Sequence, residues 1–240
     1  MIEMTRRFLR QKLGSPGIAI SLSVLALLAA AQLSTSGGRD GYEVGTLAVF
    51  ILSAACVSRD ASGGALQMIL CRPIRRSEYL MGRFVGILAA FGLFLIGAAG
   101  LALLFSRVFG PLLGARPAPI ELPAFARQAA AAMLSAVGLA APILFLSTFL
   151  PGYGDVLGYV LFTMLIGLPG FAGQVLKIPG LRDAGELLKN NLLPSVDWTS
   201  AMESRQLLTE PVGRWVLAVV GFLVLALRVF SRREFAYGQD

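Results

Sequence analysis

The sequence predicts an all-α membrane protein, a bundle of six transmembrane helices with shorter helices at both membrane faces. Three observations predict it. Hydrophobic residues make up 56% of the 240-residue chain and charged residues only 15%, where soluble domains carry roughly a quarter charged. The mean hydropathy is +0.72. The apolar residues gather into six runs, 17–33, 42–57, 84–106, 129–150, 156–176 and 212–230, most of them near the roughly 20 residues that cross a bilayer. A soluble fold of this size has too little interior for so much apolar surface. No segment between the runs is long enough to stand as a soluble domain, so residues 1–240 read as one membrane domain.

The first dozen residues precede the first run and read as a helix lying on the membrane surface. Met4, Phe8, Leu9 and Leu13 recur at helical spacing, while Arg6, Arg7 and Arg10 can face lipid phosphates. Ser15-Pro16-Gly17 then turns the chain into the bilayer. The first run has the basic start and the Ala29-Ala30-Ala31 stretch of a signal peptide. It is long for such a segment, however, and reads as a retained span.

Orientation follows from the cations. Arg6, Arg7, Arg10 and Lys12 precede the first run; Arg59, Arg72, Arg75, Arg76 and Arg83 lie between the second and third; Arg232 and Arg233 follow the sixth. On the other side, Arg39, Arg107, Arg116, Arg127, Lys177, Arg182, Lys189, Arg205 and Arg214 are spread over longer loops and mixed with acids. Cationic loops stay in the cytoplasm, which places both termini there. The net charge of +7 is thereby explained by membrane anchoring, and no nucleic-acid partner is expected.

Within the runs, Pro142 and Pro169 each remove a backbone donor and predict a kink. Gly82 with Gly86, and Gly154 with Gly158, have the four-residue spacing that lets helix backbones approach closely. Residues 177–211 are too long for a structureless connection. Leu181, Leu187, Leu188, Leu192 and Leu193 alternate there with Asp183, Glu186 and Lys189, so the segment reads as an external cap of short amphipathic helices. Trp198 lies in it at an interfacial depth.

Composition also excludes chemistry. The chain has no histidine, which removes His-based nucleophilic catalysis and the usual zinc sites. The cysteines, Cys56 and Cys71, have no metal-binding spacing and are too few for a disulfide framework. No metal or cofactor site is expected.

The most informative stretch is the cytoplasmic segment 59–83. Gly63-Gly64 breaks the descending helix, 65–70 is a short apolar helical turn, and Pro73 stops it. Ser77 can cap the next helix, with Glu78 in its first turn. The result is a short cytosolic helix framed by arginines. In order, the segment carries Asp60, Gly64-Ala65-Leu66-Gln67, Ile69-Leu70, Pro73-Ile74-Arg75-Arg76, Glu78-Tyr79 and Gly82-Arg83. This resembles the type-2 permeases of ABC transporters, the membrane subunits of type V fold exporters. Those carry an acid, Gly-Thr-Leu-Glu, two leucines, Pro-Val-Ser-Arg, Glu-Tyr and Gly-Lys. Gln67 stands in place of the acid and Ala65 in place of the threonine.

The resemblance implies that residues 64–73 form a coupling helix seated on a separate ATP-binding subunit. Partner contacts then fall at Asp60, Gly64, Leu66, Gln67, Ile69, Leu70, Pro73, Arg76 and Glu78, with the interfacial helix carrying Arg6, Arg7, Phe8 and Arg10. ATP and magnesium belong to that partner, since no G-x-x-x-x-G-K-[ST] loop occurs here. The resemblance further implies a second permease chain, a path between the two chains, and a prokaryotic inner membrane. The Glu-Ala-Ala run of importer permeases is missing. The spans hold few ionisable groups, which favours an apolar or amphipathic cargo. Two alternatives belong to other classes. Gly152-Tyr153-Gly154-Asp155 matches the Gly-x-Gly-Asp of intramembrane aspartyl proteases. Their chemistry needs a second carboxyl beside Asp155, and Asp60 is the candidate on the same side. The other alternative is a structural membrane component without transport.

Overall fold

The computed structural model describes residues 2–36, 43–58, 60, 75–109, 122–150, 152–193, 196–203 and 209–232. Among them every regular element is helical, and none is a strand. Five helices are long and apolar enough to cross a membrane: Pro16–Leu33, Arg76–Val108, Leu122–Ser147, Gly154–Val175 and Glu210–Arg232. The chain is thus an all-α, multi-pass membrane protein.

In chain order the elements are α1 (Ile2–Leu13), α2 (Pro16–Ser36), α3 (Glu43–Ser53), α4 (Arg76–Leu104), α5 (Leu122–Ser147), α6 (Gly154–Val175), α7 (Pro179–Leu192), α8 (Trp198–Glu203) and α9 (Glu210–Arg232). A short π-helical turn, Phe105–Phe109, continues α4. Proline opens both α2 and α7, where its fixed φ suits the first turn and its missing N–H costs nothing. Pro142 and Pro169 lie inside α5 and α6. The chain forms two compact units.

The first unit comprises Met1–Ser53, Met81–Ala140 and Trp198–Met202. In it α1 is anchored on α4. Phe8 is fully buried, and Met4 and Lys12 are buried on the same stripe. Thr5 Oγ1 donates to the Gly82 carbonyl at 3.2 Å. A Cβ at Gly86 would lie 2.6 Å from Phe8 Cδ1, so only glycine leaves room for that ring. The Gly82/Gly86 spacing therefore marks where α1 docks. Helix α4 thus covers the Met4–Phe8 face of α1.

The second unit comprises Ala54–Leu80, Ala141–Asp197 and Glu203–Asp240. Here α6 and α7 form a tight antiparallel hairpin. Lys177 takes a left-handed φ of 53°, and the Ile178 N–H bonds the Gly173 carbonyl at 3.0 Å, a glycine-type helix stop built on lysine. A Cβ at Gly185 would fall on the backbone of Gly170, and one at Gly173 on the backbone of Arg182. The two helices therefore touch main chain to main chain. Leu187, Leu188 and Leu192 of α7 are exposed, as is the Arg182–Glu186 ion pair at 3.1 Å. Gly158 faces Leu150 and Leu146, which makes the Gly154/Gly158 pair a packing site for the end of α5.

Two boundaries differ from the sequence reading. Helix α4 begins at Arg76, so Ser77 lies inside the first turn rather than capping it. The second apolar run, 42–57, is a helix only over Glu43–Ser53. Its 11 residues rise about 16 Å, short of the roughly 30 Å hydrocarbon core. A turn at 54–57 ends it, with Ala55 at a φ of 52°.

Candidate functional site

Polar side chains converge in each unit, and the two clusters are described separately. In the first unit the basic end of α1 meets the start of α4. The Arg83 guanidinium lies 5.3 Å from the centroid of the Phe8 ring and the Lys12 ammonium 5.9 Å. Arg83 also donates to Gln11 Oε1 at 2.9 Å. Arg83 and Lys12 are both buried. Their charge is held by the ring's electron-rich face and by hydrogen bonding, as buried cations require. Arg6, Arg7 and Arg10 of the same helix are exposed. Phe8 thus pins α1, and the three arginines project from it.

In the second unit residues near the two ends of the segment 59–83 come together. Tyr79 in the first turn of α4 is fully buried and donates its hydroxyl to Asp60 Oδ2 at 2.8 Å. Asp60 is buried as well. The Tyr79 ring stacks on Phe230 of α9, with centroids 5.7 Å apart. One turn away, Arg76 donates to the Ser231 carbonyl at 2.8 Å and to the Phe230 carbonyl at 3.5 Å. A cation on the last carbonyls of a helix satisfies orphan acceptors and complements the negative end of its dipole. Glu78 is exposed beside them, where an acid favours the positive N-terminus of α4.

The same unit holds a second knot around the turn between α5 and α6. Asp155, in the first turn of α6, is fully buried. Its Oδ2 accepts the Ala55 N–H at 2.8 Å and its Oδ1 the Val156 N–H at 2.8 Å. Ser147, the last residue of α5, is buried too, and its Oγ accepts the N–H groups of Val57 at 3.0 Å and Ser58 at 3.3 Å. Ser58 Oγ donates to the Gly152 carbonyl at 2.7 Å. Gly152 has a φ of 60°, a conformation that suits glycine at this tight turn. These contacts collect the backbone donors freed where the helix after Ser53 is broken.

Of the residues singled out from the sequence, the structure brings Asp60 and Arg76 into one unit, beside the ends of the segment 59–83. It leaves Glu78, Arg6, Arg7 and Arg10 exposed. Gly64, Leu66, Gln67, Ile69, Leu70 and Pro73 lie outside the described residues. Asp155 has both its oxygens on backbone amides, which gives it a structural duty. Tyr79, Ser147, Ser58 and Phe230 are joined to these sites without having been singled out. Glu78-Tyr79 belongs to the motif, so Tyr79 was within reach; a lone serine at a helix end carries no such signal. Among the described residues no group of three or more His, Cys, Asp or Glu side chains is arranged to hold a metal ion. Comparison with protein-family models finds no match to this chain, and comparison with curated proteins finds none either.

Proposed function

We propose that this chain is the membrane-spanning permease subunit of an ATP-driven exporter, working as one of a pair and powered by a separate ATP-binding subunit. The observation that carries the reading is the junction of Asp60 and Tyr79. These two residues stand near the two ends of the motif-bearing segment, and their buried hydrogen bond makes that segment leave and return at one point. Tyr79 on Phe230 and Arg76 on the α9 carbonyls tie that point to the last helix. A segment anchored at both ends can pass a displacement to the helices that hold it. An unanchored connector would absorb the displacement in its own flexibility.

In this reading residues 42–57, α3 with the turn that follows it, make the sixth crossing, and both termini are cytoplasmic in a prokaryotic inner membrane. The apolar residues Leu66, Ile69 and Leu70 enter a groove of the ATPase. ATP closure there shifts the segment and alternates the exposure of a path between two copies of the permease. The cargo is apolar or amphipathic, since the spans are poor in ionisable groups.

The test is purification of the chain from its native membrane in mild detergent, with mass spectrometry of what accompanies it. A stoichiometric ATP-binding subunit is expected, and L70R should release it while the permease stays folded. A chain that carries no such subunit, or keeps it in L70R, would defeat the reading. Leu70 is the better probe than Arg76, whose reversal would also place a carboxylate against the α9 carbonyls.

A further inference from the structure

The stretch from Ser53 to Ser58 reads Ser-Ala-Ala-Cys-Val-Ser, with no glycine or proline. Its local preference is to continue the helix that begins at Glu43, and alanine is the best helix former of all. The backbone nevertheless turns at 54–57, and Ala55 sits at a left-handed φ of 52° where glycine is usual. No breaker in the stretch itself accounts for the stop. Three backbone donors of the turn, those of Ala55, Val57 and Ser58, are received by Asp155 and Ser147, about 90 to 100 residues away in sequence. Local preference and distant contacts thus oppose each other at one point. Residues held in a strained conformation by their surroundings cluster at switch regions.

We infer that residues 54–57 are a two-position hinge, held bent by the Asp155–Ser147 clasp and running on as continuous helix when the clasp opens. The bent form leaves three N–H groups for side chains to receive. The straight form returns them to carbonyls one turn earlier in the helix. Asp60 follows the hinge directly, so a pull on the cytoplasmic segment is applied at the end of the strained turn. The hinge rests on the permease reading for what pulls it; the bend and its clasp do not.

The chain supplies its own probe. Ala55-Cys56 is the only Ala-Cys pair in the sequence, so labelling alanine with carbon-13 and cysteine with nitrogen-15 selects Ala55 alone. The full chain in lipid bilayers should show left-handed Cα and Cβ shifts at Ala55. In D155A that signature should be lost and replaced by helical shifts. Glycine tolerates the left-handed conformation without strain, so A55G in the D155A background should restore the bend, read from the corresponding Gly-Cys pair. S147A should act in the same direction as D155A with less loss of fold. Left-handed shifts that persist in both D155A and S147A would overturn the clasp. With the ATP-binding subunit attached, trapping a nucleotide-bound state should move wild-type Ala55 toward helical shifts. An Ala55 unchanged through every nucleotide state would overturn the hinge. Failure to find an ATP-binding subunit would overturn the permease reading and leave the D155A result standing.

Discussion

Replacing Phe8 by alanine removes the side chain that holds α1 on α4. Phe8 is fully buried against Gly86, with Arg83 and Lys12 over its ring. Loss of a buried phenylalanine costs about 3–5 kcal/mol, and each buried cation also loses a ring interaction of roughly 1 kcal/mol. Among the contacts that remain are the Thr5 bond to Gly82, the Arg83 bond to Gln11 and the buried Met4. A net hydrogen bond is worth about 1 kcal/mol, too little to replace the ring. A detached α1 has 12 residues, and isolated helices of that length are marginal in water. The consequence is local unfolding of α1 with the rest of the bundle intact. Hydrogen exchange read by mass spectrometry on the chain in nanodiscs should show amide protection over residues 2–13 falling by roughly 100-fold, the equivalent of about 3 kcal/mol. Protection in α5 and α9 should not change. If residues 2–13 keep wild-type protection in F8A, the docking argument is wrong, and lipid rather than α4 holds the helix.

The remaining predictions concern the second unit. Gly185→Val should open the α6–α7 hairpin, since its Cβ would meet Gly170 backbone that cannot rotate aside; a cost of about 3 kcal/mol or more is expected, visible as new proteolytic cleavage near Leu176–Ile178. Tyr79→Phe should keep the ring stacked on Phe230 while removing the hydroxyl from buried Asp60. Leaving a buried acceptor short of a donor costs about 1–3 kcal/mol, to be read as a lower thermal unfolding midpoint. Asp60→Asn in that background should recover part of the loss, and a Y79F midpoint equal to wild type would show that the bond contributes nothing.

The long helices were legible because their apolar runs meet the bilayer's length requirement without any tertiary information. The runs 156–176 and 212–230 differ from α6 and α9 by two residues or fewer at each end. The apolar run 84–106 marks only the apolar part of α4; its polar first turns were legible from Ser77 and Glu78, which set the helix start within two residues of Arg76. The stop after Ser53 was not legible at all. Its backbone donors are received by a carboxyl and a hydroxyl far along the chain, and the local sequence argues for the opposite outcome. The helical spacing of Met4 and Phe8 gave α1 correctly, but periodicity shows that a face is apolar and not what covers it. Nor could the α6–α7 contact be read in advance. Gly170, Gly173 and Gly185 are three of 27 glycines, and a main-chain contact leaves no side-chain pattern to find. At the candidate site, the motif residues Asp60 and Tyr79 were visible, but the hydrogen bond that joins them was not.

Helix α4 runs unbroken for 29 residues, about 44 Å at 1.5 Å per residue. That is longer than the roughly 30 Å hydrocarbon core, so it can cross while tilted. Its polar first turn carries Arg76 and Glu78, ahead of the apolar run that begins at Phe84. Leverage follows from length alone. A tilt of about 10° would sweep the far end through about 8 Å, with no residue changing its dihedrals by much.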